Sequence, residues 1–151
     1  MTKQYRKHKN QQTVLESIVL GLFQLVASLF HIAIKGFRKR GGISTADKNE
    51  IVRRRLIVEA MLESNNIHEL RQAVFEADKL VDHTLKTKGF DGDTFASRLR
   101  AAESSIDSGM YNQIWQGHKI RNQLAHEHDR GVDQYELRNA AEKLLRYIRE
   151  L

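Results

Sequence analysis

The chain has 151 residues, no cysteine and no proline, and it carries 25 Lys and Arg residues against 19 Asp and Glu. This length suits one compact domain with an accessory segment, and the lack of cysteine excludes a disulfide scaffold and a thiolate zinc site. The lack of proline, with only nine glycines, favours long helices over a β-sandwich or barrel. The sequence therefore predicts an all-α protein.

The positive charge is concentrated at the N-terminus. Residues 1–40 carry eight Lys and Arg and one Glu, a net charge of +7, whereas residues 41–151 carry 17 bases and 18 acids, a net charge of −1. A nearly neutral C-terminal portion argues against a general polyanion-binding protein. The cations instead flank a hydrophobic segment, as they do beside membrane helices.

The first predicted element is a membrane helix over residues 14–37, preceded by a basic tail over residues 1–13. Residues 17–34 contain no charged side chain, and this length is about the minimum that spans a bilayer. Small and polar residues such as Ser17 and Gly21 form one narrow stripe, which is typical of membrane helices that self-associate. A core helix of the domain and a helix lying in the membrane interface are the alternatives. The larger number of cations after the segment favours a cytoplasmic C-terminal domain.

Five helices are predicted after a basic hinge with two glycines, residues 38–44. N-cap residues precede three of these helices, at Ser44, Asn66 and Asp133, and Gly89 ends the second. The first four have expected ranges of 45–63, 67–88, 94–103 and 110–127, and the fifth runs from Asp133 to the C-terminus. Apolar residues recur in them at helical spacing, so residues 45–151 are expected to form a bundle of four to five helices.

The segment 114–127 carries the side chains that are most informative about function. On a helical wheel, Arg121 falls inside the apolar arc that contains Ile114. Because a guanidinium cannot lose its proton, it needs an anion in such surroundings. Asp78 lies at the edge of the apolar face of the second helix and is the predicted partner, with Asp82 as the second choice. The simplest role of an Arg121–Asp78 contact is a structural ion pair that fixes the register of the two helices.

The opposite arc of the same helix combines aromatic, amide and imidazole groups. Its members are Tyr111, Trp115, His118, Lys119, Asn122 and His126. Aromatic rings stack on unpaired bases, and amide and imidazole groups form hydrogen bonds with RNA. Tyr111, Trp115, His118 and Lys119 are therefore the predicted RNA-binding residues, and the alternative is that the aromatic residues pack in a dimer interface.

A metal site is not predicted near the end of this helix. His126, His128 and Asp129 lack the spacing of the His-Glu-x-x-His motif, and no thiolate is present. No cofactor is expected.

The run from Arg121 to His126 resembles the signature of the HEPN family (higher eukaryotes and prokaryotes nucleotide-binding). That signature is an Arg, four to six residues of which the first is usually polar, and a His near the end of a late helix in a small all-α bundle. The motif is Arg121-Asn122-Gln123-Leu124-Ala125-His126, and the resemblance in layout covers about residues 45–150.

The resemblance implies a homodimer that brings two such motifs into one cleft and, in many members, metal-independent cleavage of RNA. His126 would then transfer a proton, Arg121 would stabilise charge on phosphorus, and Asn122 would position the phosphate or orient His126. The alternative is a noncatalytic, membrane-tethered interaction module in which Arg121 is structural. The sequence does not identify the RNA or a small partner protein.

Overall fold

The structure is a computed structural model, and it describes residues 42–126 and 131–151 together with Gln24. These two ranges contain five α-helices and no strand, so the described part of the chain is all-α, as predicted. The helices are α1 (Thr45–Leu62), α2 (Ile67–Thr87), α3 (Phe95–Ala102), α4 (Ser108–His126) and α5 (Gln134–Arg149), with a 3-10 turn at Glu103–Ser105. They belong to one unit that spans Arg40–Leu151.

Side-chain caps set the starts of the helices. The Ser44 hydroxyl accepts a hydrogen bond from a backbone N–H of α1, and Asn66 does the same at the start of α2. At α5, the carboxylate of Asp133 accepts from the Glu136 N–H, while the Glu136 carboxylate accepts from the Asp133 N–H. These capping interactions satisfy backbone donors that have no partner inside the helix. The observed bounds lie within two residues of those predicted from the caps.

Helix α2 is the central element and packs against each of the other four helices. Its core-facing residues are completely buried: Leu70, Ala73, Val74, Ala77, Leu80, Val81 and Leu85. Burial of each large aliphatic side chain contributes about 1.5–3 kcal/mol of transfer free energy. The core therefore surrounds α2, and any polar group on its buried face is shielded from water.

Helix α4 packs directly against α5 at Gly117. A Cβ atom at this position would lie 2.6 Å from the Leu144 Cγ and 2.9 Å from the Ala140 carbonyl oxygen. Such contacts are shorter than any that a real side chain tolerates, so the close packing requires a glycine.

The short helix α3 is fixed at its N-terminus by polar contacts. Thr94 and Ser97 form a reciprocal capping box. Arg98 donates to the Asp82 carboxylate of α2 at 2.9 Å and also to the Gly92 carbonyl oxygen. An eight-residue helix is unstable alone, so these contacts and its docking on α2 hold it in place.

None of the helices within residues 42–126 and 131–151 has both the length and the apolar character needed to cross a bilayer. Apart from Gln24, the predicted membrane helix over residues 14–37 lies outside the described residues, as does the predicted tail over residues 1–13.

Candidate functional site

The residues of the Arg-x4-His motif lie on the last two turns of α4. This helix begins after Asp107, whose carboxylate accepts hydrogen bonds from the Gly109 and Met110 N–H groups at 2.9 and 3.0 Å. From there α4 runs without interruption to His126. The helix carries the motif residues past the buried face of α2, where Asp78 lies.

Asp78 is the buried anion of the site. Its side chain is almost fully enclosed, and the residue is 4% exposed. One carboxylate oxygen, Oδ1, lies 2.7 Å from His118 Nδ1. The other, Oδ2, lies 3.5 Å from Arg121 Nε, which is an ion-pair distance without hydrogen-bond geometry. The structure thus places Arg121 against the aspartate predicted for it, and adds a second contact from His118.

Asn122 joins the two partners of Asp78. Its amide nitrogen lies 3.0 Å from His118 Nε2, and its amide oxygen accepts from Arg121 Nη1 at 3.0 Å. The side chains of Asp78, His118, Asn122 and Arg121 therefore form a closed ring of polar contacts, which we call the polar ring. Buried polar groups are stable when their donors and acceptors are paired in this way.

Arg121 lies at the outer edge of the polar ring. Its side chain is 33% exposed, and its guanidinium carbon is 5.7 Å from the centre of the Phe75 ring. Among the described residues, its Nη2 has no hydrogen-bond partner. The guanidinium is therefore held by Asp78 and Asn122, and its side chain is still one-third open to solvent.

Aromatic side chains cover His118. The Phe95 ring from α3 stacks on the imidazole with ring centres 4.0 Å apart and an interplanar angle of 5°. Trp115 meets the imidazole edge to face at 5.9 Å, and Tyr111 meets Trp115 in the same manner at 6.2 Å. The Arg100 guanidinium lies 5.6 Å from the Trp115 ring. Trp115 and Tyr111 are half-buried in this cluster.

His118 is placed differently from the sequence prediction. The helical wheel put it on the arc predicted to bind RNA or to pack in an interface, and in the structure it is 9% exposed and both ring nitrogens have polar partners. The physical reason is that α4 turns this position toward Asp78 and Phe95. A signal was present, because a buried carboxylate has two oxygens and each needs a polar partner. His118, one turn before Arg121, is the donor that completes the set.

Other predicted residues are open to solvent. Lys119 and His126 are exposed, and His126 is the last residue of α4. The polar contacts of Asn122 go to His118 and Arg121, so the structure does not use Asn122 to orient His126. Asp82, the second choice for the partner of Arg121, instead binds Arg98, and this hydrogen bond raises the pKa of Arg98.

Within the described ranges, no group of three or more His, Cys, Asp or Glu side chains is placed so that it could hold a metal ion. His128 and Asp129 lie outside those ranges. The polar ring is also unsuited to bind a metal ion, because its carboxylate, Asp78, is already in contact with a guanidinium.

Comparison with known proteins does not identify a relative of this chain. No protein-family model, no curated protein and no solved structure matches it.

Proposed function

We propose that this chain is a HEPN-like RNA-binding protein whose Arg-x4-His motif, paired with that of a second copy, cleaves single-stranded RNA without a metal ion. The motif residues are Arg121, Asn122 and His126. The observation that carries the proposal is the guanidinium of Arg121, which is held by Asp78 and Asn122 while its side chain is 33% exposed.

This arrangement fits phosphate chemistry. In the proposed reaction the ribose 2′-hydroxyl attacks the adjacent phosphorus, and the bond from phosphorus to the 5′-oxygen breaks. The imidazole of one His126 accepts the hydroxyl proton, and the protonated imidazole of the second copy donates a proton to the leaving oxygen. Arg121 stabilises the negative charge that develops on the phosphoryl oxygens. His126 is exposed at a helix end, where an RNA strand can reach it.

The charge distribution indicates how RNA is recognised. Residues 41–151 carry a net charge of −1, so long-range attraction by the domain is weak. Binding in the proposal depends on Arg121, on exposed Lys119 and on the partly open rings of Tyr111 and Trp115. We further propose that residues 14–37 attach the chain to a membrane with the domain on its cytoplasmic side.

A second candidate is a noncatalytic interaction module, and one observation favours it. Val52, Leu56 and Ile57 of α1 are 45%, 54% and 45% exposed, which is unusual for large aliphatic residues on a single helix. Exposed apolar patches of this kind mark surfaces that bind other proteins. In this alternative, Arg121 serves only to hold α2 and α4 together.

The deciding experiment is a cleavage assay of the full chain on a mixed-sequence single-stranded RNA, with a chelator present. His126→Ala is the test variant, and His68→Ala is the matched control because His68 is an exposed histidine at the other end of a different helix. We expect His126→Ala to lower the cleavage rate about 100-fold or more, the scale of general acid–base catalysis. His68→Ala should cleave at the wild-type rate.

Both variants should unfold at the wild-type temperature, because an exposed histidine contributes little packing. Cleavage by His126→Ala at the wild-type rate would exclude the proposed role of His126. A wild-type chain that neither binds nor cleaves RNA, but whose self-association is lost in Leu56→Glu, would establish the interaction module instead.

A further inference from the structure

The hydrogen-bond directions around Asn122 are fixed by Arg121. A guanidinium only donates, so the atom that faces Arg121 Nη1 at 3.0 Å has to be the amide oxygen of Asn122. The amide nitrogen then faces His118 Nε2 at 3.0 Å. An amide nitrogen also only donates, so Nε2 accepts this hydrogen bond and carries no proton.

The donor and acceptor roles also determine where the proton of the imidazole lies. With Nε2 unprotonated, His118 is neutral and its single proton is on Nδ1. Nδ1 therefore donates to Asp78 Oδ1 at 2.7 Å. The second oxygen of Asp78 lies at an ion-pair distance from Arg121 Nε. The donor-only arginine and the acceptor-only aspartate thus set the direction of the three hydrogen bonds in the polar ring.

We propose that His118 is a positioning residue that holds Asn122, and through it Arg121, in the orientation that receives an RNA phosphate. This inference rests on the proposed function, since it takes Arg121 as the phosphate-binding group. His118 does not touch RNA, because it is 9% exposed and lies under the Phe95 ring. It acts through the acceptor at Nε2, which keeps the amide oxygen of Asn122 turned toward Arg121.

The first test is independent of RNA. In an NMR spectrum of the full chain with ¹⁵N-labelled histidine, the His118 signals are assigned by their proximity to the Phe95 ring. We expect a protonated Nδ1 and an unprotonated Nε2 at neutral pH. A proton on Nε2, alone or together with one on Nδ1, would overturn the inference.

The second test is Asn122→Asp, which replaces the amide donor by an acceptor. His118 Nε2 then faces a carboxylate oxygen, so we expect Nε2 to become protonated in the same spectrum. An unprotonated Nε2 in this variant would show that residue 122 does not determine the state of His118, and would contradict the polar ring.

The third test compares two substitutions of His118. Gln places an acceptor near the position of Nε2, and Asn places a donor near the position of Nδ1. Because His118 acts through Asn122, we expect His118→Gln to keep RNA affinity within about threefold of wild type, and His118→Asn to weaken it about tenfold, the scale of one lost hydrogen bond. The probe is the same single-stranded RNA.

Equal affinity loss in both variants, or no loss in either, would show that the contact with Asn122 does not position Arg121. If the wild-type chain binds no RNA at all, the proposed function fails. The two NMR tests would still show whether His118 sets the orientation of the Asn122 amide that faces Arg121.

Discussion

Asp78 is a single buried carboxylate that contacts both His118 and Arg121 of α4. Asp78→Ala removes the hydrogen-bond acceptor of His118 Nδ1 and the ion-pair partner of Arg121. We expect this variant to lower the free energy of unfolding by about 3 kcal/mol, the scale for removing the buried partner of an ion pair. Arg121→Leu should cost less, because that side chain is already one-third open to solvent and Asp78 keeps His118 as a partner. Urea unfolding measures both values.

Asp82 provides the matched control for this prediction. It lies one turn after Asp78 on α2, its side chain is 31% exposed, and it forms an ion pair with Arg98. Partly exposed pairs contribute at most about 1 kcal/mol. Equal losses of unfolding free energy in Asp78→Ala and Asp82→Ala would show that burial does not increase the contribution of Asp78 to stability.

The buried hydroxyl of Tyr147 makes the stability of the fold depend on pH in the alkaline range. Its hydroxyl is buried, and among the described residues it has no hydrogen-bond partner. Burial raises the pKa of Tyr147 to about 12, against about 10 in an unfolded chain. The folded state therefore holds this proton more tightly, and its contribution to stability is complete below pH 10. It is lost as the pH rises toward 12, in total about 2–3 kcal/mol.

Tyr147→Phe should remove this part of the alkaline loss. The measurement is the difference in unfolding free energy between wild type and variant from pH 9 to pH 12, in which the other three tyrosines cancel. At neutral pH the variant should be at least as stable as wild type, because it removes an unpaired buried hydroxyl. A difference that stays constant over this pH range would contradict the prediction.

At the scale of elements, the α4–α5 contact depends on Gly117. Gly117→Ala would place a methyl group against Leu144 and the Ala140 carbonyl, so the two helices must move apart. We expect a loss of about 1–3 kcal/mol in unfolding free energy, although alanine is the better helix former. Thermal unfolding of Gly117→Ala provides the measurement.

Gly109→Ala is the control on the same helix. Gly109 is exposed, and its added Cβ would meet only the Asp107 carboxylate at the surface, at 3.1 Å, and no atom of α5. Its effect should stay within about 0.5 kcal/mol. A Gly117→Ala protein that is as stable as Gly109→Ala would show that α4 and α5 can move apart without a loss of unfolding free energy.

The helices themselves could be predicted because their boundaries are encoded locally. Ser44, Asn66 and Asp133 accept hydrogen bonds from N–H groups two or three residues away, so the capping pattern is visible in a short stretch of sequence. Gly89 after α2 adopts a positive φ of 83°, which explains why the helix ends there. The all-α class follows from the same local signals.

The candidate site could be predicted only in part, because its contacts join distant residues. Asp78 was recognised from its place at the edge of an apolar face, and Arg121 from its place inside one. His118 was predicted to bind RNA, and its contacts could not be predicted because Asp78 on α2 and Phe95 on α3 lie far from it along the chain. A helical wheel cannot distinguish an imidazole that faces a buried carboxylate from one that faces water.

At the scale of the whole molecule, the chain combines a nearly neutral helical domain with a strongly basic, hydrophobic N-terminal segment. We expect residues 1–40, fused to a soluble reporter, to bring it to the membrane fraction and to resist carbonate extraction. The matched control replaces Leu25 by Lys in the same fusion, since a charge near the middle of the segment opposes insertion. Recovery of the wild-type fusion in the soluble fraction would contradict the membrane helix.

The stacking of Phe95 on His118 connects the interior of the site with the shortest helix of the bundle. Short helices open locally more often than the whole domain unfolds. When α3 detaches, Phe95 leaves with it, and water reaches the imidazole while α2 and α4 stay packed. The carbon-bound C2 hydrogen of His118 should therefore exchange with deuterated solvent in proportion to the fraction of molecules in which α3 is open, rather than the fraction that is globally unfolded. Deuterium exchange at this one imidazole then reports on the opening of α3, a helix that carries no motif residue.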